Sequence, residues 1–401
     1  MNHITKYIFA ILSLIMLAGC SGSEQGEERP KDTLVPISLT LSVPNDKSNT
    51  RVGDPGEDTH DKVDWDRLTI IVAYTEKTKG KDIYDGSANT MVYYDTFRKK
   101  EDFESTKPVS HYTSTLSPAD TNGYHDYTIY LPPGTCCVYG VTYSKGKGLN
   151  LEEELSKIPK DGKDHNADIY KLQISNDYAW NTNAMDIAKF ISVATGYATE
   201  VDVANNTLTN KRLIPVEFNS NTTSSTKRYW RMVLGRLATK LDIQWDAKGA
   251  YENAKFTDVK VEGFTYHGEA EGTGTTGAGY GRLFPTLYAD YTKKEKIKGT
   301  SVGGQKTFIN TSEISKRNGR VYHYTFPDGV TKPRITFDVL TKKDGETETK
   351  TDKVTFDFKN RTESLKPAQW YLKPAQWYKI NVTISGTKIG SASNITIDDF
   401  K

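Results

Sequence analysis

Apolar and polar residues alternate without a break across residues 35–43. Val35, Ile37, Leu39, Leu41 and Val43 are apolar, with Pro36, Ser38, Thr40 and Ser42 between them. A period of two predicts a strand with one buried face. Pro44 ends the run, and a polar stretch leads to Arg51. The run Leu68-Thr69-Ile70-Ile71-Val72-Ala73-Tyr74 predicts a buried strand. Further strands are predicted at 90–97, 127–131 and 136–143, the last two joined through the Pro132-Pro133-Gly134 turn. The first half closes with Arg212-Leu213-Ile214-Pro215-Val216-Glu217-Phe218. A short helix is predicted over 150–158, with Asn150 as its cap and acidic residues in its first turn. A second helix is predicted to start near Asn183.

The polar segment NSNTTSSTK (219–227) reads as a linker. Beyond it Leu237, Thr239, Leu241, Ile243 and Trp245 alternate with charged and polar residues. Strands are then predicted at 256–266, 320–326, Arg334–Thr341, 353–358, 378–384 and 394–397. Regular short strands separated by turns predict β-sandwiches, and 401 residues suit two of them, at 34–222 and 223–401. The heptapeptide LKPAQWY occurs twice in succession, at 365–371 and 372–378, and the second copy runs directly into the strand that begins at Tyr378. Two copies are too few for a repeat architecture. The first copy offers Trp370 and Tyr371 either as a contact patch or as cover for a core edge.

Composition narrows the function. The 53 basic and 51 acidic residues are spread along the chain for a net charge of +2, which points away from nucleic-acid partners. Of the three cysteines, Cys136 and Cys137 are adjacent, so a strand sends their side chains to opposite faces and neither a disulfide nor a CxxC redox site is expected. An exposed member of the pair would be able to link two copies. Residues 1–19 carry a basic start and an apolar run too short to span a membrane, followed by Leu17-Ala18-Gly19-Cys20. This tetrapeptide resembles a bacterial lipobox, which implies cleavage before Cys20 and lipid on its sulfur. Several acyl chains, at ~0.8 kcal/mol per buried CH₂, anchor a protein to the outer membrane firmly. Residues 20–33 are polar and read as a flexible tether.

Chemistry-bearing patterns are sparse. Gly272-Thr273-Gly274-Thr275-Thr276-Gly277 fits GxGxxG, but more glycines and a proline follow where a phosphate-binding helix would have to open, so it reads as a loop. The seven histidines are scattered, and neither HExxH nor GxSxG occurs. DGKDHNAD (161–168) is rich enough in Asp to hold calcium in a loop but lacks EF-hand spacing. A carboxylate pair for glycoside hydrolysis would have to assemble from loops. No enzymatic activity, cofactor or metal is expected.

The order of features resembles the fimbrillin-type (type V) pilins of Bacteroidetes: a lipobox, an amphipathic first strand ending in Asn49-Thr50-Arg51, GRLATKLDIQW (235–245), and a C-terminal YKINVTISGTK followed by NITIDDF. The resemblance covers essentially the whole mature chain. It implies an all-β fold of two tandem β-sandwich (transthyretin-like) domains with one or two short helices. It also implies export as a surface lipoprotein of the cell outer membrane and function as a structural subunit of a fimbria that contributes to adhesion. A trypsin-like protease would cut between Arg51 and Val52, removing the strand that bears Val35, Ile37, Leu39, Leu41 and Val43. A strand from another fimbrial subunit would then fill the gap by β-strand addition. In many members the C-terminal region donates, which here points to Asn394–Lys401, with Ile395, Ile397 and Phe400, alone or together with Tyr378–Ile384. The family includes tip and anchor subunits, and anchors keep the lipid uncut. A surface glycan-binding lipoprotein is the reading from another class.

Overall fold

The computed structural model describes residues 34–43, 65–76, 89–111, 113–146, 149–174, 193–202, 207–208, 215–219, 228–248, 255–262, 281–284, 306–307, 318–325, 334–341, 350–357, 375–385 and 394–399. The fold is all-β. Its strands are β1 (Val35–Ser42), β2 (Arg67–Tyr74), β3 (Val92–Arg98), β4 (Val109–His111), β5 (Ser114–Leu116), β6 (His125–Leu131), β7 (Gly134–Tyr143), β8 (Gln173–Ile174), β9 (Ala194–Asp202), β10 (Thr207–Leu208) and β11 (Val216–Phe218). They continue with β12 (Arg228–Val233), β13 (Gly235–Arg236), β14 (Thr239–Lys248), β15 (Lys255–Glu262), β16 (Gly281–Arg282), β17 (Lys306–Thr307), β18 (Asn318–Thr325), β19 (Arg334–Thr341), β20 (Lys350–Asp357), β21 (Gln376–Ser385) and β22 (Asn394–Asp399). Two short helices, α1 (Leu151–Ser156) and α2 (Asn166–Lys171), and one π-helical turn (Lys99–Phe103) interrupt them.

The first sheet runs β3-β2-β7-β9-β12-β1-β6-β5-β4 and folds over itself at β9. The first part of β9 pairs with β7 and β13, whereas its last part pairs with β12 and β10, so this strand passes from one layer of a sandwich to the other. Gly196 sits at the crossover. A Cβ there would lie 2.5 Å from the carbonyl oxygen of Val233, so a side chain is excluded by close approach of backbone. Between the layers lies a core built from Val35, Ile37, Leu39 and Leu41 of β1, Leu68, Ile70, Val72 and Tyr74 of β2, and Cys136 and Val138 of β7. The opposite face of the β2–β7 layer is also covered. There Ile71, Cys137, Tyr139 and Val141 pack with Leu151 and Leu155 of α1, Ile169 of α2, Phe284 and Trp377. Burial on both faces explains why β2 and β7 read as continuous apolar runs while β1 alternates.

Two four-stranded sheets follow, β18-β14-β21-β22 and β17-β15-β19-β20. The changeover from the first sheet falls after β13, not at the polar segment 219–227. Arg228–Val233 returns to pair with β1 and β9, so a boundary at 222/223 would cut β12 from its own sheet. The residues from Val35 to Lys401 form one compact unit.

The GRLATKLDIQW segment is the joint. β13 ends in the first sheet, Leu237 N–H donates to the Val193 carbonyl at 3.0 Å, and β14 then enters the second sheet between β18 and β21. Its charged residues are buried instead of facing solvent: Arg236, Lys240 and Asp242 are all within 1% of fully covered. Asp242 accepts two hydrogen bonds from Arg320, at 2.8 and 2.6 Å, and Lys240 Nζ lies 4.4 Å from the centre of the Trp377 ring. Trp377 belongs to the second LKPAQWY copy, which does lead into β21; the first copy lies outside the described residues.

The helix predicted from 150 forms as α1, but Asn150 does not cap it; its side-chain amide donates to the Glu153 carboxylate instead. α2 was not expected from the sequence. The helix predicted near Asn183 and the glycine-rich segment 272–277 lie outside the described residues.

Candidate functional site

The site is the seat of β1. On one side β1 runs antiparallel to β6, from Val35 opposite Leu131 to Leu41 opposite His125. On the other it runs parallel to β12, from Leu39 opposite Trp230 to Ser42 opposite Val233. Pro36, which has no N–H to give, stands opposite Tyr130 of β6 and precedes the described pairing with β12, which starts at Leu39. Past the last strand residue, Leu234 N–H still donates to the Ser42 carbonyl at 2.9 Å.

The two faces of β1 differ as its alternation predicts. Val35, Ile37, Leu39 and Leu41 are buried in the sandwich core, and Val43 packs against it half-buried. On the outer face Ser38 and Thr128 share a hydroxyl–hydroxyl hydrogen bond of 2.9 Å, and Thr40 donates to Asp126 at 3.1 Å. These cross-strand partners on β6 were not singled out from the sequence. Their signal was the same alternation, since His125, Tyr127, Ile129 and Leu131 are buried and the residues between them are not.

Neither neighbour depends on β1 for its place. β6 is paired on its far edge with β5, and β12 on its far edge with β9. The β4–β5–β6 group is also tied to the opposite layer. His111 of β4 reaches Asp95 of β3 at 2.9 Å through Nδ1, while Nε2 lies 3.5 Å from Asp102. Its ring stacks on Phe97 at 4.4 Å between centroids. Burial raises the Asp102 pKa, but the Arg98 backbone N–H and the charges of His111 and Arg98 outweigh it and hold the carboxyl below its usual range. A second tie is His125 against Phe103 at 3.9 Å; burial lowers the pKa of this imidazole. The arrangement is therefore a slot with backbone groups along both walls, four apolar sockets in its floor and hydroxyl and carboxylate partners at its rim. It is shaped to hold one extended strand.

Of the residues marked from the sequence, Val35, Ile37, Leu39, Leu41 and Val43 come together here. Cys20, Arg51, Val52 and Phe400 lie outside the described residues. Ile395 and Ile397 stand in β22, the edge strand beside β21, opposite Ile380 and Tyr378. Cys136 and Cys137 point into the two different cores and are free and buried, which leaves no exposed thiol to link copies among the described residues. The Asp-rich loop 161–168 does not converge on a cation. Asp161 and Asp168 flank His165 at 2.9 and 2.8 Å, and Asp164 accepts the Asn166 backbone N–H at 2.7 Å.

No family model matches the chain, and neither does any curated protein. Solved structures do. A candidate cell adhesion protein from Parabacteroides distasonis is similar over 91% of this chain and 96% of that one, at 9% identity and a TM-score of 0.43. The tip fimbrial protein Mfa3 from Porphyromonas gingivalis, with C-terminal truncation, is similar over 91% and 99%, at 11% identity and a TM-score of 0.41. A fimbrilin from Porphyromonas gingivalis W83 is similar over 90% and 96%, at 10% identity and a TM-score of 0.37. These similarities are to fimbrial and candidate adhesion proteins, all at 9–11% identity.

Proposed function

We propose that this chain is a structural subunit of a surface fimbria. It reaches the outer membrane as a lipoprotein anchored through Cys20. A trypsin-like protease cuts between Arg51 and Val52, β1 leaves, and a strand of another subunit takes its seat. The observation that carries the reading is the placement of β1. β1, the first strand among the described residues, fills a slot between two strands that each keep another partner, so its departure opens a binding site without undoing the sheet on either side. Cleavage has a clear physical purpose. While β1 is covalently attached it returns to its seat far faster than a free competitor can enter; once cut it leaves by dilution. The subunit acts by binding, and the role asks for no reaction centre.

Incubating the purified full chain with trypsin tests this. The product is expected to begin at Val52 and then to form ladders that survive in gels without boiling, and Arg51→Ala is expected to block both. A product that starts at Val52 and stays monomeric at high concentration overturns the polymerising role.

A further inference from the structure

Away from the seat of β1, the first sheet has an open edge beside a cleft. β3 stands at the end of the strand order and pairs with β2 alone among the described strands. Tyr74 N–H donates to the Met91 carbonyl at 2.8 Å and Lys99 N–H to the Asp66 carbonyl at 3.0 Å, so the odd-numbered residues of β3 bond to β2. The backbone groups of Val92, Tyr94, Thr96 and Arg98 therefore point away from the sheet. At its far end this edge is closed, since Arg98 N–H donates to the Asp102 carboxylate at 2.9 Å. At its near end lies a cleft of about 420 Å³, between residues 90–94 and a facing wall of Leu155, Ile158, Pro159 and Lys160. Tyr93 turns its side chain into the sandwich core, whereas Val92 and Tyr94 turn theirs to the α1 face. Residues that point opposite ways share one cleft along their common edge, so the backbone of β3 forms part of its wall. The facing wall is held in place: Leu155 is buried in the second core, and Gly162 N–H donates to the Asn89 carbonyl at 3.0 Å.

We infer that this cleft is a docking site for a short extended peptide of a partner protein. The peptide adds to β3 as an outer strand over Val92 and Tyr94. It sets one bulky apolar side chain between Tyr94 and Ile158 and carries an acidic residue toward Lys160. Backbone chemistry selects the class of ligand. The N–H and C=O groups of Val92 and Tyr94 repeat at the two-residue spacing of an extended chain, which another extended chain matches. The lining selects the side chains. Met91, Val92, Leu155, Ile158 and Pro159 make it largely apolar, and Lys160 is the single charged residue on it. The closure at Arg98 sets the length, because the stretch between the cleft and Asp102 accepts a few residues of linear chain. The site makes no use of β1 and is the same in the cut and the uncut chain.

The test pans a phage-displayed library of random heptapeptides against the full, uncut chain. Selected sequences are expected to share a bulky apolar residue and an acidic one. Their synthetic copies are expected to bind Val92→Pro about tenfold or more weakly than the native chain. That substitution removes an N–H that β2 does not use, so the sheet is expected to keep its pairing, read by circular dichroism. Ile158→Arg fills the cleft from the facing wall without touching β3 and is expected to weaken the same peptides as much. Panning against Lys160→Glu is expected to exchange the acidic preference for a basic one; an unchanged preference overturns the charge assignment. Recovery of no binder, or of binders that keep their affinity against both Val92→Pro and Ile158→Arg, overturns the inference. So does a native chain that self-associates in sedimentation while Val92→Pro stays monomeric, since a second copy then takes the edge. Binders that tolerate N-methylation at every alternate residue, in either phase, overturn strand addition.

Discussion

Replacing Leu39 and Leu41 by Ala together tests whether β1 is an independent element. Leu39 is 4% exposed and Leu41 is fully buried. Burying the four inward side chains of β1 contributes about 6–12 kcal/mol gross, at ~1.5–3 each. Two Leu→Ala changes remove about 4–10 kcal/mol. Even the lower figure raises the population of chains with β1 out of its seat by about a thousandfold, at 1.4 kcal/mol per factor of ten. Hydrogen exchange of the uncut chain reads this directly. Amides of β1, and those of β6 and β12 that face it, are expected to exchange faster in the double variant. β2 and β7 keep their pairing with each other and their second core, so they are expected to stay protected. The uncut variant is also expected to capture a peptide of residues 34–43, which the uncut native chain excludes. Equal acceleration in β1, β2 and β7 refutes the reasoning: β1 would then leave only with the whole sandwich, and cutting at Arg51 would not open a slot.

Three further expectations follow from the geometry. Arg320→Ala strands the fully buried Asp242 carboxylate and is expected to cost about 3–5 kcal/mol in urea unfolding, with Asp242→Asn/Arg320→Ala costing less than Arg320→Ala alone. Burial pulls the His165 pKa down, but hydrogen bonds to Asp168 and Asp161 outweigh it and raise the pKa above its usual value, while the bond from His165 holds Asp161 down to about 2. The stabilisation from charged His165 is therefore complete below about pH 6.5 and fades as pH rises through the raised pKa, so His165→Gln is expected to destabilise more at about pH 5 than at about pH 9; the reverse order refutes the pairing. Burial pushes the Cys136 thiol well up and the Cys137 thiol up to about 12, so both are expected to resist alkylation in the native chain at neutral pH and to react in urea.

The sequence carried β1 clearly because one of its faces stays outside the core, and alternation is the signature of that condition. It carried β2 and β7 as strands, but not the reason for their continuous apolar runs, which is the second core beneath α1 and α2. The polar segment 219–227 does not mark the end of the first sheet, which takes in Arg228–Val233. Nothing in Arg228–Val233 marks a parallel pairing with the first strand of the chain, because that partner is set by tertiary structure and not by local pattern. Arg236, Lys240 and Asp242 look like the solvent side of an alternating strand, yet the joint between sheets buries all three, Lys240 and Asp242 against Trp377 and Arg320 far along the chain. The slot's floor was legible. Its rim, Asp126 and Thr128, and the His111 tie were not, since each depends on a partner that only the folded sheet brings near.

The doubled LKPAQWY has seven residues, an odd number. Within a strand an odd insertion turns every later side chain to the opposite face. β21 escapes this because its phase is fixed just before it starts. Ala375 takes φ 56°, its N–H donates to the Ala238 carbonyl at 3.2 Å, and Trp377 enters the core under Lys240. Whatever length precedes that anchor, the strand begins on the same beat. The chain can thus lengthen or shorten its approach by whole or partial copies without disturbing the alternation that Tyr378 and Ile380 set for the residues after them.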